Sequence, residues 1–147
     1  MGRSVSVPSN TIWAFYLADP TEGAFDEETG EYDYVLEDMY WNDFVDELRI
    51  AMKSLFPSLD TADEWVGRED RAILENGLVR IGISKYGSIV SFWCIPREDQ
   101  QEPLAERWGQ SIQDKVLEAL HDMFGNEVYY KHGTFSNGEG VYGRYRT

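Results

Sequence analysis

Apolar positions in this chain first cluster, then alternate, then recur every three to four residues. Each pattern marks a different element. The run TIWAFYLA (Thr11–Ala18) is dense in β-branched and aromatic residues and reads as a strand. Glu28-Thr29-Gly30 is a turn signal. After it, Tyr32, Tyr34 and Leu36 alternate with Glu31, Asp33 and Val35, which predicts a second strand with one polar face. Asp19–Glu28 is then the long connection of a hairpin. Phe44, Leu48, Ala51, Met52 and Leu55 fall at helical spacing and predict a first amphipathic helix. Asn42 reads as its N-cap, Asp43, Asp46 and Glu47 suit the positive end of the helix dipole, and Pro57 stops it near Phe56. SLDTADEWV (58–66) reads as a further short turn of helix.

From Ala72 to Pro96 the pattern is a meander. Asn76-Gly77 is a type I′ hairpin signal, and Tyr86-Gly87 marks a second turn. The nearly unbroken apolar run Ile89–Ile95 predicts a central strand covered on both faces, or with one face covered by a partner. A second helix is expected from Pro103, with a stripe of Leu104, Trp108, Ile112, Val116, Leu120 and Phe124. His121 falls in its last turn, and Gly125 is its C-cap. NEVYYKHGTF (126–135) reads as a strand, SNGEG as a turn and VYGRYRT (141–147) as a final edge strand.

Two helices with one apolar stripe each must cover a largely antiparallel sheet. The expected class is therefore α+β: a two-layer sandwich of four to six strands under two helices, in one domain spanning residues 1–147. A ferredoxin-like βαββαβ order is the first expectation for its topology.

Charge changes this picture. Residues 1–48 carry twelve acids against the single base Arg3, whereas residues 49–147 carry fifteen acids against twelve bases. The net charge of −14 is therefore concentrated in one third of the chain. Nine carboxylates (Asp19, Glu22, Asp26, Glu27, Glu28, Glu31, Asp33, Glu37 and Asp38) stand in twenty residues with no Lys or Arg among them. Direct binding of nucleic acid or an anionic membrane by this segment is disfavoured. The single cysteine, Cys94, cannot form an internal disulfide, and no segment approaches the ~20 apolar residues of a membrane span, so a cytoplasmic setting is expected.

Candidate chemistry is sparse. There is no G-x-S-x-G, Walker A loop, G-x-G-x-x-G or H-E-x-x-H. His121, His132 and Cys94 lack the spacing of a zinc site. Asp26, Glu28 and Glu37 fall at positions one, three and twelve of an EF-hand count, but the glycine is at five rather than six. No catalytic residue, metal or cofactor is expected.

The acidic segment points to a partner instead. Folded as a hairpin with ten-residue arms, it would span roughly 33 Å at ~3.3 Å per residue. Its nine carboxylates would then approach the charge spacing of a DNA strand, one phosphate per ~3.4 Å. Asp43, Asp46 and Glu47 would continue the field, with Phe25, Tyr32, Tyr34, Tyr40 and Trp41 as aromatic anchors. The expected function is a non-enzymatic inhibitor, a DNA mimic that occupies the basic groove of a nuclease or other nucleic-acid-binding protein. In character the chain resembles accessory proteins of phages and plasmids that block host defence. Three further classes share parts of this pattern: an immunity or antitoxin protein against a basic toxin, an enzyme built on dispersed carboxylates, and an oligomeric module with Trp13, Trp41, Trp65 or Trp93 at its interface.

Overall fold

A computed structural model of the chain describes residues 11–67, 70–86, 89–97, 110–125, 128–131 and 142–144. Strand β1 (Trp13–Ala18) leads through a 3-10 turn (Glu22–Ala24) into a small hairpin, β2 (Phe25–Asp26) and β3 (Glu31–Tyr32). Helix α1 (Tyr34–Leu55) follows, then β4 (Asp60–Trp65), β5 (Asp70–Glu75), β6 (Val79–Tyr86) and β7 (Ile89–Pro96). Helix α2 (Gln110–Phe124), β8 (Val128–Lys131) and β9 (Tyr142–Arg144) complete the described chain.

The sheet order is β4-β5-β6-β7-β1-β8-β9, and every neighbouring pair is antiparallel. Five long strands form its body, and the short β8 and β9 extend it beyond β1. The α+β class read from the sequence is the one observed. β1 lies between β7 and β8, the two strands that flank α2, which is the split arrangement of a βαββαβ order. The β4–β5 hairpin and β9 are additions to that order.

Both helices pack on one face of the sheet. Trp13, Phe15 and Leu17 of β1 join Val90, Phe92 and Cys94 of β7 and Ile81 and Ile83 of β6 in a continuous core. Onto it α1 lays Phe44, Val45, Leu48 and Met52, and α2 lays Val116, Leu117 and Leu120. The alternate positions Ala14, Tyr16 and Trp93 are buried on the opposite face, beside Val66, Ile89 and Ile95. Ile89–Ile95 is thus central and covered on both sides, as its apolar run requires. Trp13 and Trp93 are inside the core and offer no subunit interface, whereas Trp65 is exposed. No helix among the described residues is long and apolar enough to cross a membrane.

Several local expectations are corrected. The expected second strand ends at Tyr32, the last residue of β3: α1 starts at Tyr34, eight residues before the expected cap at Asn42. The cap is Asp33, whose carboxylate accepts the amides of Val35 and Leu36. Alternation over three apolar residues fits either element, and the capping carboxylate decides for the helix. SLDTADEWV contributes strand β4 rather than a helical turn. It is an edge strand held by its ladder to β5, with a register shift between Thr61 and Glu64. The connection at Asn76-Gly77 is not type I′, because Gly77 does not have positive φ. Instead the Asn76 side chain accepts the amides of Leu78 and Val79 at 2.8 and 2.9 Å.

The helix ends match their signals. The Phe56 amide donates to Met52 just before Pro57, and Gly125 takes φ +64° with its amide on the His121 carbonyl. The expected start of the second helix at Pro103, with Leu104 and Trp108, lies outside the described residues, as do His132 and the SNGEG turn.

Candidate acidic interaction surface

The ten-residue arms expected for the acidic hairpin are replaced by arms of two residues, paired Phe25 to Tyr32 and Asp26 to Glu31. The turn signal at Glu28-Thr29-Gly30 is correct. Gly30 sits at φ +71° and its amide donates to the Asp26 carbonyl at 2.8 Å, while the Asp26 carboxylate accepts the Glu28 amide at 2.9 Å. Asp26 and Glu31 are like charges directly across a two-strand ladder, an arrangement that opposes pairing. The aromatic Phe25–Tyr32 pair beside them works in the opposite sense.

The rigid 33 Å rod of charge therefore does not form. The acids instead wrap a concavity of ≈ 820 Å³ between the hairpin and the first turn of α1, lined among others by Asp26, Glu27, Glu28, Glu31 and Asp33. Its walls include Phe25 and Tyr34, which are 47% and 73% exposed, and the Tyr32 ring lies edge-on to Tyr34 at 5.2 Å. The Tyr32 hydroxyl donates to the Glu37 carboxylate, which holds the phenol above its ordinary pKa.

The remaining acids divide by role. Asp19 faces inward: its carboxylate accepts the Thr21 amide at 2.9 Å and hydroxyl at 2.6 Å, and lies 3.7 Å from Lys85 Nζ. Glu22 is exposed on the 3-10 turn. Asp38, Asp43, Asp46 and Glu47 are exposed along α1, and Asp46 lies 3.5 Å from Arg49. Among the described residues, only Asp19 and Asp46 of the twelve acids between 19 and 47 pair with a cation of the chain itself.

Two expected anchors point elsewhere. Tyr40 packs against the 3-10 turn, its ring edge closing on Gly23. Trp41 is half-buried, stacked on Phe44 at 5.7 Å, with Lys85 Nζ 5.6 Å from its ring centre. Both secure α1 to the body of the fold. The exposed large apolar side chains near the acids are Phe25, Tyr34, Val35, Met39 and Ile50. Val35 and Met39 lie before the expected start of the helix, and Ile50 lies within it but off its inward stripe. Extending the helix back to its cap at Asp33 places Val35 and Met39 in line with Ile50.

No Asp or Glu is buried among the described residues, and no three His, Cys, Asp or Glu side chains converge as a metal-binding set. Cys94 is enclosed in the core, where burial pushes its thiol pKa well up. His121 Nδ1 donates to the Gly125 carbonyl at 2.6 Å at the end of α2. No family model matches the chain, and comparison with curated proteins and solved structures finds no similar one.

Proposed function

We propose that this chain is a non-enzymatic acidic inhibitor, of the kind encoded by phages or plasmids. It binds the basic nucleic-acid groove of a nuclease or another nucleic-acid-binding protein in a reducing cytoplasm. One observation carries the reading: ten of the twelve acids between residues 19 and 47 have no cation of the chain within ion-pair distance among the described residues. Self-repulsion of this kind, including the opposed Asp26 and Glu31, lowers the stability of the free protein. A cationic partner relieves it. Basic side chains fit the acidic concavity, and Phe25 and Tyr34 offer faces for guanidinium stacking. The field steers association, and aromatic contacts slow dissociation.

The experiment is a competition. Heparin-retained proteins from a bacterial lysate are passed over the immobilised chain at about 50 mM and about 200 mM salt. Captured proteins are purified, and their binding to duplex DNA is titrated with the chain. The expected result is displacement of DNA that weakens steeply with salt. It should be lost when Asp26→Asn, Glu27→Gln, Glu28→Gln, Glu31→Gln and Asp33→Asn are combined. The amides at 26 and 33 preserve the backbone hydrogen bonds that those carboxylates make. Displacement that survives the five substitutions overturns the reading. Capture of a basic protein whose DNA binding is unaffected favours the immunity or antitoxin alternative.

A further inference from the structure

We infer that the outer face of α1 is a docking surface for a basic amphipathic helix of the protein partner. This inference rests on the proposed function and names the second contact that such a partner makes. Helix α1 has 22 residues, and its inward stripe is filled by Phe44, Val45, Leu48 and Met52. On the opposite side, Val35, Met39, Asp43, Asp46 and Ile50 follow one another at intervals of four, four, three and four. Those intervals place them in one line along the helix. Val35, Met39 and Ile50 are 76%, 50% and 71% exposed. The line is about 22 Å long at ~1.5 Å per residue. Large apolar groups aligned on the solvent side of a helix mark a contact surface more often than isolated ones do.

Charge selects the occupant. The two cations of α1 are engaged with the body of the protein. Arg49 donates to the carbonyls of Ile73 at 3.2 Å and Ala62 at 3.0 Å, and Lys53 donates to those of Pro57 at 3.2 Å and Leu59. Between the apolar ends stand Asp43, which pairs with no cation among the described residues, and Asp46, 3.5 Å from Arg49, with Glu47 alongside. A second copy of this chain does not fit. Antiparallel pairing about the middle of the line sets Met39 against Asp46 and brings the central acids of the two copies together, each copy carrying −14. Nucleic acid and anionic membrane are repelled for the same reason. A helix with apolar residues at its ends and Lys or Arg between them satisfies both parts of the line, by the helix-on-helix mode of recognition. Contacts of this kind act chiefly on dissociation, whereas the hairpin charge acts on association.

The test uses two synthetic peptides of about 20 residues, long enough to form helix on binding. They share one Leu and Lys composition. One is arranged with an apolar helical face, and the other is scrambled so that no face exists. Binding to the full chain is measured by fluorescence anisotropy at low salt. The expected result is roughly tenfold tighter binding of the amphipathic peptide, arising from slower dissociation. Val35→Ser, Met39→Gln and Ile50→Ser together should remove that preference while leaving the binding of the scrambled peptide unchanged. Equal binding of the two peptides by the wild-type chain, or a preference that survives the triple substitution, overturns the inference and leaves the electrostatic reading standing. If neither peptide binds at low salt, both the inference and the proposed function fail.

Discussion

The carboxylate of Asp33 accepts the amide of Leu36 at 3.1 Å, and that contact decides where α1 begins. The same oxygen takes the Val35 amide at 3.0 Å, so two of the four orphan donors of the first turn are satisfied by one side chain. Asp33→Ala should lower stability by about 1 kcal/mol, and Asp33→Asn by much less. Urea unfolding of the two variants checks this. A loss of stability that is equal in both would mean that charge rather than capping sets the contribution of Asp33.

Gly82 of β6 has a different role. It lies opposite Trp93 of β7 and Ala72 of β5, and a Cβ there would meet the Arg71 carbonyl oxygen and the Trp93 ring. Trp93 is fully buried and held by its Nε1–H, which donates to the Ser84 hydroxyl at 2.8 Å; Ser84 in turn donates to Asp70. Gly82→Ala should therefore destabilise by about 1–3 kcal/mol through overpacking. Combining it with Trp93→Leu should cost less than the sum of the two single changes, because the indole is one of the groups the new methyl strikes. Thermal unfolding of the double-mutant cycle measures that difference.

The two exposed turn glycines should respond with opposite sign. Gly30 holds φ +71°, so Gly30→Ala forces a side chain into the left-handed region and should destabilise by about 1 kcal/mol. Gly77 is outside that region, and a Cβ on it would meet nothing within 4 Å. Gly77→Ala should be neutral or stabilise by about 0.4–1 kcal/mol through the unfolded chain. Marked destabilisation at Gly77 would restore the type I′ turn.

Cys94 adds a dependence on pH. Burial raises its pKa in the folded chain, while the unfolded thiol titrates near ~8.5. Below that value both states are protonated and the thiol has no effect on the pH dependence. Above it the unfolded chain releases the proton first, so stability falls as pH rises, by up to ~1.4 kcal/mol per unit from this group. Unfolding midpoints above about pH 8.5 should decline less steeply in Cys94→Ala than in wild type. Thiol-specific labelling of the native protein should proceed only at the rate of unfolding.

Much of the scaffold can be read locally. Ile89–Ile95 is apolar on both sides of its pleat, so a central position follows without any knowledge of neighbours. Pro57 and Gly125 end their helices through backbone geometry that each residue carries with it. The 44-48-52 period marks the buried side of α1 because any helix must hide such a stripe. The excess of acid in the first third of the chain is likewise a property of composition alone.

Other features are settled only by tertiary partners. Tyr32, Tyr34 and Leu36 fit a strand or a helix, and the choice falls to the Asp33 cap together with a β3 too short to extend the ladder. β4 is a strand because β5 offers it a free edge. The sign of the charge between 19 and 47 belongs to the sequence, but its direction belongs to the fold. Asp19 turns inward to Thr21 and Lys85, whereas Asp43 and Asp46 stand in line with Val35, Met39 and Ile50 on the outside of α1. Carboxylates follow their backbone, and that backbone is positioned by Phe44, Leu48 and Met52 anchoring the helix face opposite to them.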